Sequence, residues 1–312
     1  MKTKLSILII LLSLFTISCR YDFNLIPRKD NIEERSPGFS KIDSPFKDSP
    51  FKDSSSKDKF SVLLIGDTHF GRNGWFKPKR NEEPLYEKLT QLKDEYKANG
   101  YPISFSINVG DISDSGKQSE FDDFLIFENK IASILSADGA SYYEKMFSVV
   151  GNHDLYNNGW NVWKENLFPH TSTYYFTTEG TGSSVSWYFL DSGSGMLGKN
   201  QISKLTDIAS KDSNEKLIFS HYPINAKFVD YYTLSDPLEV AQLTKLLYQT
   251  KVGFTVEGHY HPGGSNDIKT SSGKFVCHEE VLPGFVDHLG FGILTVDLSS
   301  EKPVFNLKIY HY

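Results

Sequence analysis

From residue 60 onward, short apolar runs alternate with amphipathic segments. Residues 60–65, 103–109 and 146–150 are compact runs of strand length that end at Gly or Asp. Residues 216–219 and 252–256 repeat the pattern. Residues 184–190 alternate, which predicts a half-exposed strand. Between these runs, residues 85–98 space their charges as on a solvent-facing helix. Residues 118–135 set Phe121, Phe124, Leu125 and Ile131 on one helical stripe. Residues 201–209 and 238–248 predict two further helices, and 274–279, 291–297 and 304–309 predict strands alone. Helices interleaved with strands, then strands without helices, predict an α/β fold: a two-sheet β-sandwich flanked by helices.

The first 58 residues follow neither pattern. Lys2 and Lys4 give a positive start, and residues 5–17 form an apolar run of signal-peptide length, too short to span a bilayer comfortably. The run closes on Thr16-Ile17-Ser18-Cys19. This resembles the cleavage box of bacterial lipoproteins, with Thr16 where leucine is usual. The resemblance implies that residues 1–19 are a signal peptide and that Cys19 carries a lipid holding the protein at the cell envelope. An ordinary cleaved signal is the alternative. Residues 20–58 are rich in Lys, Asp, Ser and Pro, and Ser-Pro-Phe-Lys-Asp occurs twice in tandem, at 44–48 and 49–53. So polar a stretch buries too little apolar surface to offset its ordering entropy. It is expected to be a flexible tether, with one folded domain over residues 59–312.

The whole chain has 312 residues, 39% hydrophobic and 14% aromatic, enough for a substantial core. Its formal charge of −6 argues against a nucleic-acid-binding surface, which should be basic. It does not argue against a phosphate substrate, because bound metal ions can dominate the local charge. Of the two cysteines, Cys19 lies in the leader, so no disulfide with Cys277 is expected.

Donor-bearing residues collect just past the strand-like runs. They are Asp67-Thr68-His69, Gly110-Asp111-Ile112-Ser113-Asp114, Gly151-Asn152-His153-Asp154, Ser220-His221-Tyr222-Pro223 and Gly258-His259-Tyr260-His261. Five of the nine histidines lie in these segments. Open α/β sheets build their sites at such strand ends. Asp67 and His69, like His259 and His261, are two residues apart, so in extended backbone their side chains point the same way. Asp111 has two oxygens with which to bridge two cations, and Asn152 offers a neutral amide oxygen. Mixed nitrogen and oxygen donors suit Zn, Mn or Fe better than Ca or Mg. Two such ions about 3.5–4 Å apart can hold a phosphate and activate a water. His153 falls outside this ligand set, as a candidate acid for the departing oxygen. Asp114 is its candidate partner, holding the ring in the needed tautomer.

These five pieces, in this order, resemble the calcineurin-like metallophosphoesterases. That pattern runs Asp-x-His, Gly-Asp-x-x-Asp, Gly-Asn-His-Asp or Glu, a lone His, then Gly-His-x-His. The resemblance spans Asp67 to His261, most of the predicted domain. It implies a two-sheet sandwich flanked by helices. It implies Asp67, His69 and His261 on one metal, and Asn152, His221 and His259 on the other. Asp111 would bridge them, with His153 and Asp114 as acid and partner. Purple acid phosphatases of this superfamily place a tyrosine ligand where this chain has Asp114, so a ferric–tyrosinate site is not expected. The short stretch after the last predicted strand leaves no room for the extra carboxy-terminal domain of secreted 5′-nucleotidases. A compact phosphomonoesterase or phosphodiesterase is the simpler expectation.

Other residues carry weaker signals. Arg72 could contact a substrate phosphate through its guanidinium fork, although an ordinary surface arginine is the commoner case. Asp154 reads as a turn residue, His278 and His288 as structural or rim residues, and Cys277 as a buried small hydrophobe. His170 and His311 give no functional signal. Trp75, Phe76, Tyr156, Trp160 and Trp163 could line a pocket that stacks a ring, with local packing as the commoner role. The sequence therefore reads as an envelope-anchored, metal-dependent hydrolase of small phosphoesters. The alternative is a surface lipoprotein whose phosphoesterase-like fold binds a partner without turnover.

Overall fold

The computed structural model describes residues 31–47, 55–72, 82–225 and 232–311. Cys19, Phe51, Trp75 and Phe76 lie outside them. The strands are β1 (Ser40–Lys41), β2 (Lys59–Ile65), β3 (Ile103–Asn108), β4 (Met146–Ser148), β5 (Tyr174–Glu179), β6 (Ser184–Phe189), β7 (Glu215–Phe219), β8 (Val252–Glu257), β9 (Gly264–Lys269), β10 (Phe275–Val281), β11 (Gly290–Asp297) and β12 (Val304–His311). The longer helices are α1 (Glu83–Ala98), α2 (Gln118–Leu135), α3 (Gly159–Asn166), α4 (Lys199–Ala209) and α5 (Pro237–Gln249).

Two sheets form. One has seven strands in the order β1-β5-β6-β7-β8-β10-β9, the other five in the order β12-β11-β2-β3-β4. Side chains alternate across each strand, and both faces of β2 are apolar. Val62 and Leu64 join Phe105, Phe147, Phe176, Trp187, Phe189 and Phe219 in the core between the sheets. Leu63 and Ile65 face outward, under Leu85 and Leu89 of α1 and Phe121 and Phe124 of α2. On the far side, Leu205 of α4 and Leu243 of α5 cover Ile218 of β7. The fold is the expected sandwich of two sheets between helical layers. Among the described residues no helix is long and apolar enough to cross a membrane.

Three expectations need correction. Strand β6 is buried from Val185 onward rather than half-exposed, because it is covered on both faces. Leu125 lies at the margin of the α2 stripe, and Phe127 takes the buried place. The third correction concerns the tether: residues 31–47 pack on the domain. Strand β1 pairs in parallel with β5. Phe46, from the first repeat, is buried against Phe60 and Phe105, with ring centroids 4.9 and 6.1 Å apart. Arg35 is buried and donates to Asp191 from Nε at 2.9 Å and from its terminal nitrogen at 3.1 Å. A few anchoring side chains outweigh the polar composition of the stretch.

β2, β3 and β4 run parallel to one another, as do β6, β7, β8 and β10. The carboxyl ends of β2, β3, β4, β7 and β8 carry the five donor-bearing segments. The loops after β2 and β3 are zipped together. Asp67 N donates to Gly110 O, His69 N to Asp111 O, Phe70 N to Ile112 O and Asp114 N to Phe70 O.

Candidate metal centre

Four of the donor residues have left-handed backbone: Asp67 (φ 52°), His69 (φ 43°), Asp111 (φ 51°) and His259 (φ 68°). L-residues with side chains avoid this region, and strained backbone of this kind concentrates at functional sites. Glycine makes the close packing possible. A Cβ on Gly151 would meet Asp111 N at 2.1 Å, and one on Gly110, itself at φ 98°, would meet His221 Nδ1 at 2.8 Å.

Two donor sets converge on Asp111. In the first, His69 Nε2 lies 3.1 Å from His261 Nε2 and 3.5 Å from Asp111 Oδ2, and His261 Nε2 lies 3.4 Å from Asp67 Oδ1. In the second, His221 Nε2 lies 3.3 Å from the same Asp111 Oδ2, 3.1 Å from Asn152 Oδ1 and 3.2 Å from His259 Nδ1. Potential ligand atoms of Asp67, His69 and His261 all fall within 4.8 Å of one another, as do those of Asp111, His221 and His259. The structure thus gathers all seven sequence-nominated ligands in two groups that share one carboxylate oxygen.

The donor chemistry fits cations. His221 Nδ1 is 2.9 Å from the carbonyl of Val109, and His261 Nδ1 is 2.6 Å from Asp287 Oδ2. Each Nδ1–H donates there, which turns the Nε2 lone pair toward the other donors. Nitrogen and oxygen donors that face one another at 3.1–3.5 Å call for a proton or a metal ion between them. The electrostatics agree. Burial opposes charge on Asp67, but His261 and then His221 hold its carboxyl below the usual range. Asp111 is likewise held well below it, with His221 and His153 outweighing burial. Burial also opposes charge on His221, yet Asp111 and Asp67 lift its pKa to about 9. For His261, Asp67 and Asp287 overcome burial to reach about 9. Desolvation and then neighbouring His221 push part-buried His259 down to about 3.

Asp154 serves as a clamp. Its Oδ1 accepts from Ser113 N (2.8 Å) and Ser113 Oγ (3.1 Å), and its Oδ2 from Gly151 N (2.9 Å), which ties the Asp111 loop to the Asn152 loop. His153 sits at the cavity edge. Its backbone N donates to Asp111 Oδ1 at 2.8 Å, and its ring lies 4.6 Å from that of His69. The expected partnership with Asp114 takes a different form. His153 Nδ1 meets the backbone carbonyl of Asp114 at 2.7 Å, while the Asp114 carboxylate faces His69 Nδ1 at 3.3 Å. The zipped loops turn the Asp114 side chain over His69 and leave its carbonyl for His153.

A cavity of about 550 Å³ opens over the donors. Arg72 lines it and is ion-paired with Asp287 at 2.9 Å. Of the aromatics nominated from sequence, Tyr156 lines the cavity, while Trp163 is buried in the core with Trp160 stacked on it. Sequence reasoning missed Tyr222, Tyr232 and Tyr260 in the cavity wall and Asp287 behind His261. Tyr222 and Tyr260 stand inside the quoted motifs, so their place beside the histidines was the available signal. Asp287 and Tyr232 gave none. Away from the cavity, exposed His278 pairs with Asp267, His170 Nδ1 meets the Lys164 carbonyl, and His311 Nδ1 meets that of His288. Cys277 is buried.

Two sheets with a paired Asp, Asn and His site at their carboxyl ends define a metal-dependent phosphoesterase scaffold. The chain matches the model of the calcineurin-like phosphoesterases over residues 60–263, and it belongs to that family. It is 27% identical over 151 residues to a Fibrobacter succinogenes protein named "Probable cyclic nucleotide phosphodiesterase". That match covers 45% of this chain and 57% of the relative, so the chain spans less than two thirds of the relative's length. Among solved structures, a dimetal phosphatase from Danio rerio superposes with a TM-score of 0.55 at 16% identity, covering 80% of this chain and 95% of that one. A purple acid phosphatase from yellow lupin superposes at 0.58 with 14% identity, covering 82% of this chain and 52% of that one. At these identities the likeness establishes the fold.

Proposed function

We propose that the protein is a dinuclear-metal phosphoester hydrolase. One observation carries the proposal: a single oxygen, Asp111 Oδ2, lies 3.5 Å from His69 Nε2 and 3.3 Å from His221 Nε2, at the junction of both donor sets. Asp67, His69 and His261 would hold one divalent ion, Asn152, His221 and His259 the other, and Asp111 would bridge them. Two such ions supply an activated water and neutralise charge on the phosphoryl group. Zn, Mn and Fe suit the mixed donors.

The chain's own residues do the rest. The strained loops fix the donors before substrate arrives, and Asp154 keeps the two loops in register. The Asp114 carbonyl holds His153 Nδ1–H, leaving Nε2 to carry a proton to the departing oxygen. Arg72 lies in the cavity wall, where its fork can meet a phosphoryl oxygen. The name of the Fibrobacter relative supports a phosphodiester as substrate.

The test is hydrolysis of 4-nitrophenyl phosphate and bis(4-nitrophenyl) phosphate after chelation and re-addition of Mn²⁺, Zn²⁺ or Fe²⁺. Turnover that needs metal, and that vanishes in a folded Asp111→Asn variant, supports the reading. Full metal occupancy without turnover would leave the binding-module alternative.

We further propose export and lipid anchoring at Cys19, supported by the charged start and short apolar run before it. Mass spectrometry of the mature amino terminus should find an acylated cysteine, and Cys19→Ser should release the protein from membranes. An unmodified terminus would refute the anchor.

A further inference from the structure

We propose that the substrate is a monoanionic phosphodiester whose retained ester group carries a flat ring, seated on Tyr232 and Tyr260. This rests on the two-metal reading and adds where the retained ester group sits and what it must carry. The ring of Tyr232 lies 5.5 Å from Tyr260 and 5.5 Å from His259, and Tyr222 lies beneath His259 at 3.9 Å. Pro262 extends this wall of the cavity. Tyr156 lies against His153, with ring centroids 4.7 Å apart, and its hydroxyl accepts from Asn152 Nδ2 at 3.4 Å.

The position of the acid assigns the two regions. Hydrolysis forms a P–O bond from water and breaks the bond to the leaving group. The leaving oxygen takes the proton held by His153, and the attacking water gives up a proton in turn. The leaving group therefore departs past His153 and Tyr156. Tyr232 stands against His259 and Tyr260 instead, and we assign that wall to what stays on phosphorus. In a monoester only charged oxygens stay there, and an aromatic wall offers them little compensation for lost water. In a diester the retained group can bury against the rings.

Three esters with one leaving group isolate the effect: bis(4-nitrophenyl) phosphate, methyl 4-nitrophenyl phosphate and 4-nitrophenyl phosphate. Each is assayed with metal-loaded wild type, Tyr232→Ala and Tyr232→Phe. Tyr232 is 36% exposed, so truncation leaves the core intact. The expected result is a higher kcat/KM for both diesters than for the monoester. Tyr232→Ala should lower kcat/KM for the bis-aryl ester about threefold to tenfold more than for the methyl ester, the range an aromatic pair supplies. Tyr232→Phe should restore the bis-aryl rate. Comparing variants on the same ester cancels intrinsic reactivity. An equal loss on both diesters, no loss on either, or preference for the monoester overturns the proposal while the phosphoesterase reading stands. Turnover of none of the three overturns both.

Discussion

Asp287 Oδ2 stands 2.6 Å from His261 Nδ1, and the same oxygen accepts from Arg72 at 2.9 Å. A residue outside every motif thereby orients a nominated metal ligand and tethers the cavity's arginine. Carboxylates behind ligating histidines fix the tautomer and raise ligand basicity. Asp287→Ala should keep the fold, because the residue sits part-exposed in the short helix Phe285–His288, and should weaken metal binding about 10- to 100-fold. Competition with a calibrated chelator measures this. Unchanged affinity would mean that Asp287 has no part in holding His261.

Metal binding should strengthen as pH rises. His221 and His261 both reach a pKa of about 9 in the metal-free protein, lifted by carboxylates against the opposition of burial. Below that pH each holds a proton that an incoming cation must displace. Apparent affinity should therefore climb through neutrality and level off above about pH 9. Asp67 and Asp111 are held below the usual carboxylate range, so they do not titrate in this window. Calorimetry in buffers of different ionisation enthalpy counts the protons released. Affinity that stays flat from about pH 6 to 9 would contradict this assignment.

The amino-terminal strap should be a structural part of the domain. Arg35 and Asp191 are both fully buried as an ion pair. The neighbour of Asp191, Ser192, accepts from the backbone N–H groups of His221 and Tyr222 through its Oγ, at 3.0 and 2.8 Å. Removing one partner of a buried pair leaves an uncompensated charge, so Arg35→Ala should cost about 3–5 kcal/mol. Phe46→Ala should cost about 3–5 kcal/mol through the cavity it leaves. Urea unfolding gives both values. Losses under about 1 kcal/mol would show that the strap is dispensable.

The interior strands were legible because β2, β3 and β4 are short, mostly apolar buried runs that lead directly into a Gly-bearing turn. The ligand set was legible because each donor sits within a few residues of such a strand end. Strand β9 escaped notice because it is a sheet edge of Gly, Ser, Asn and Asp, and edge strands need not be apolar. The strap was hidden for a different reason. Arg35 is buried only because Asp191, 156 positions away, meets it, and no local pattern encodes that. Asp287 is similar: the Gly284 turn brings it to His261 through a backbone bond from Gly284 N to His261 O of 2.7 Å. The role of Asp114 depended on whether its carbonyl or its carboxylate would reach His153, and only the paired loops decide that.

The assignment of His153 as acid makes a prediction about leaving groups. Its Nδ1 is fixed on the Asp114 carbonyl at 2.7 Å, so Nε2 alone can pass a proton to the substrate. An acidic phenol departs without that help, whereas an alkoxide needs it. General acid catalysis contributes about 10²- to 10⁴-fold where it operates. His153→Ala should therefore lower kcat for an alkyl phosphodiester by about that range, and for a 4-nitrophenyl ester far less. Metal content, measured alongside, should hold at the wild-type value, because the two proposed donor sets are complete without His153. If both substrates slow by the same factor, the residue positions water or metal instead of donating a proton. A loss of metal from the variant would assign His153 to the ligand set, a reading its place within 4.8 Å of ligand atoms on His69 and Asp111 makes worth testing directly.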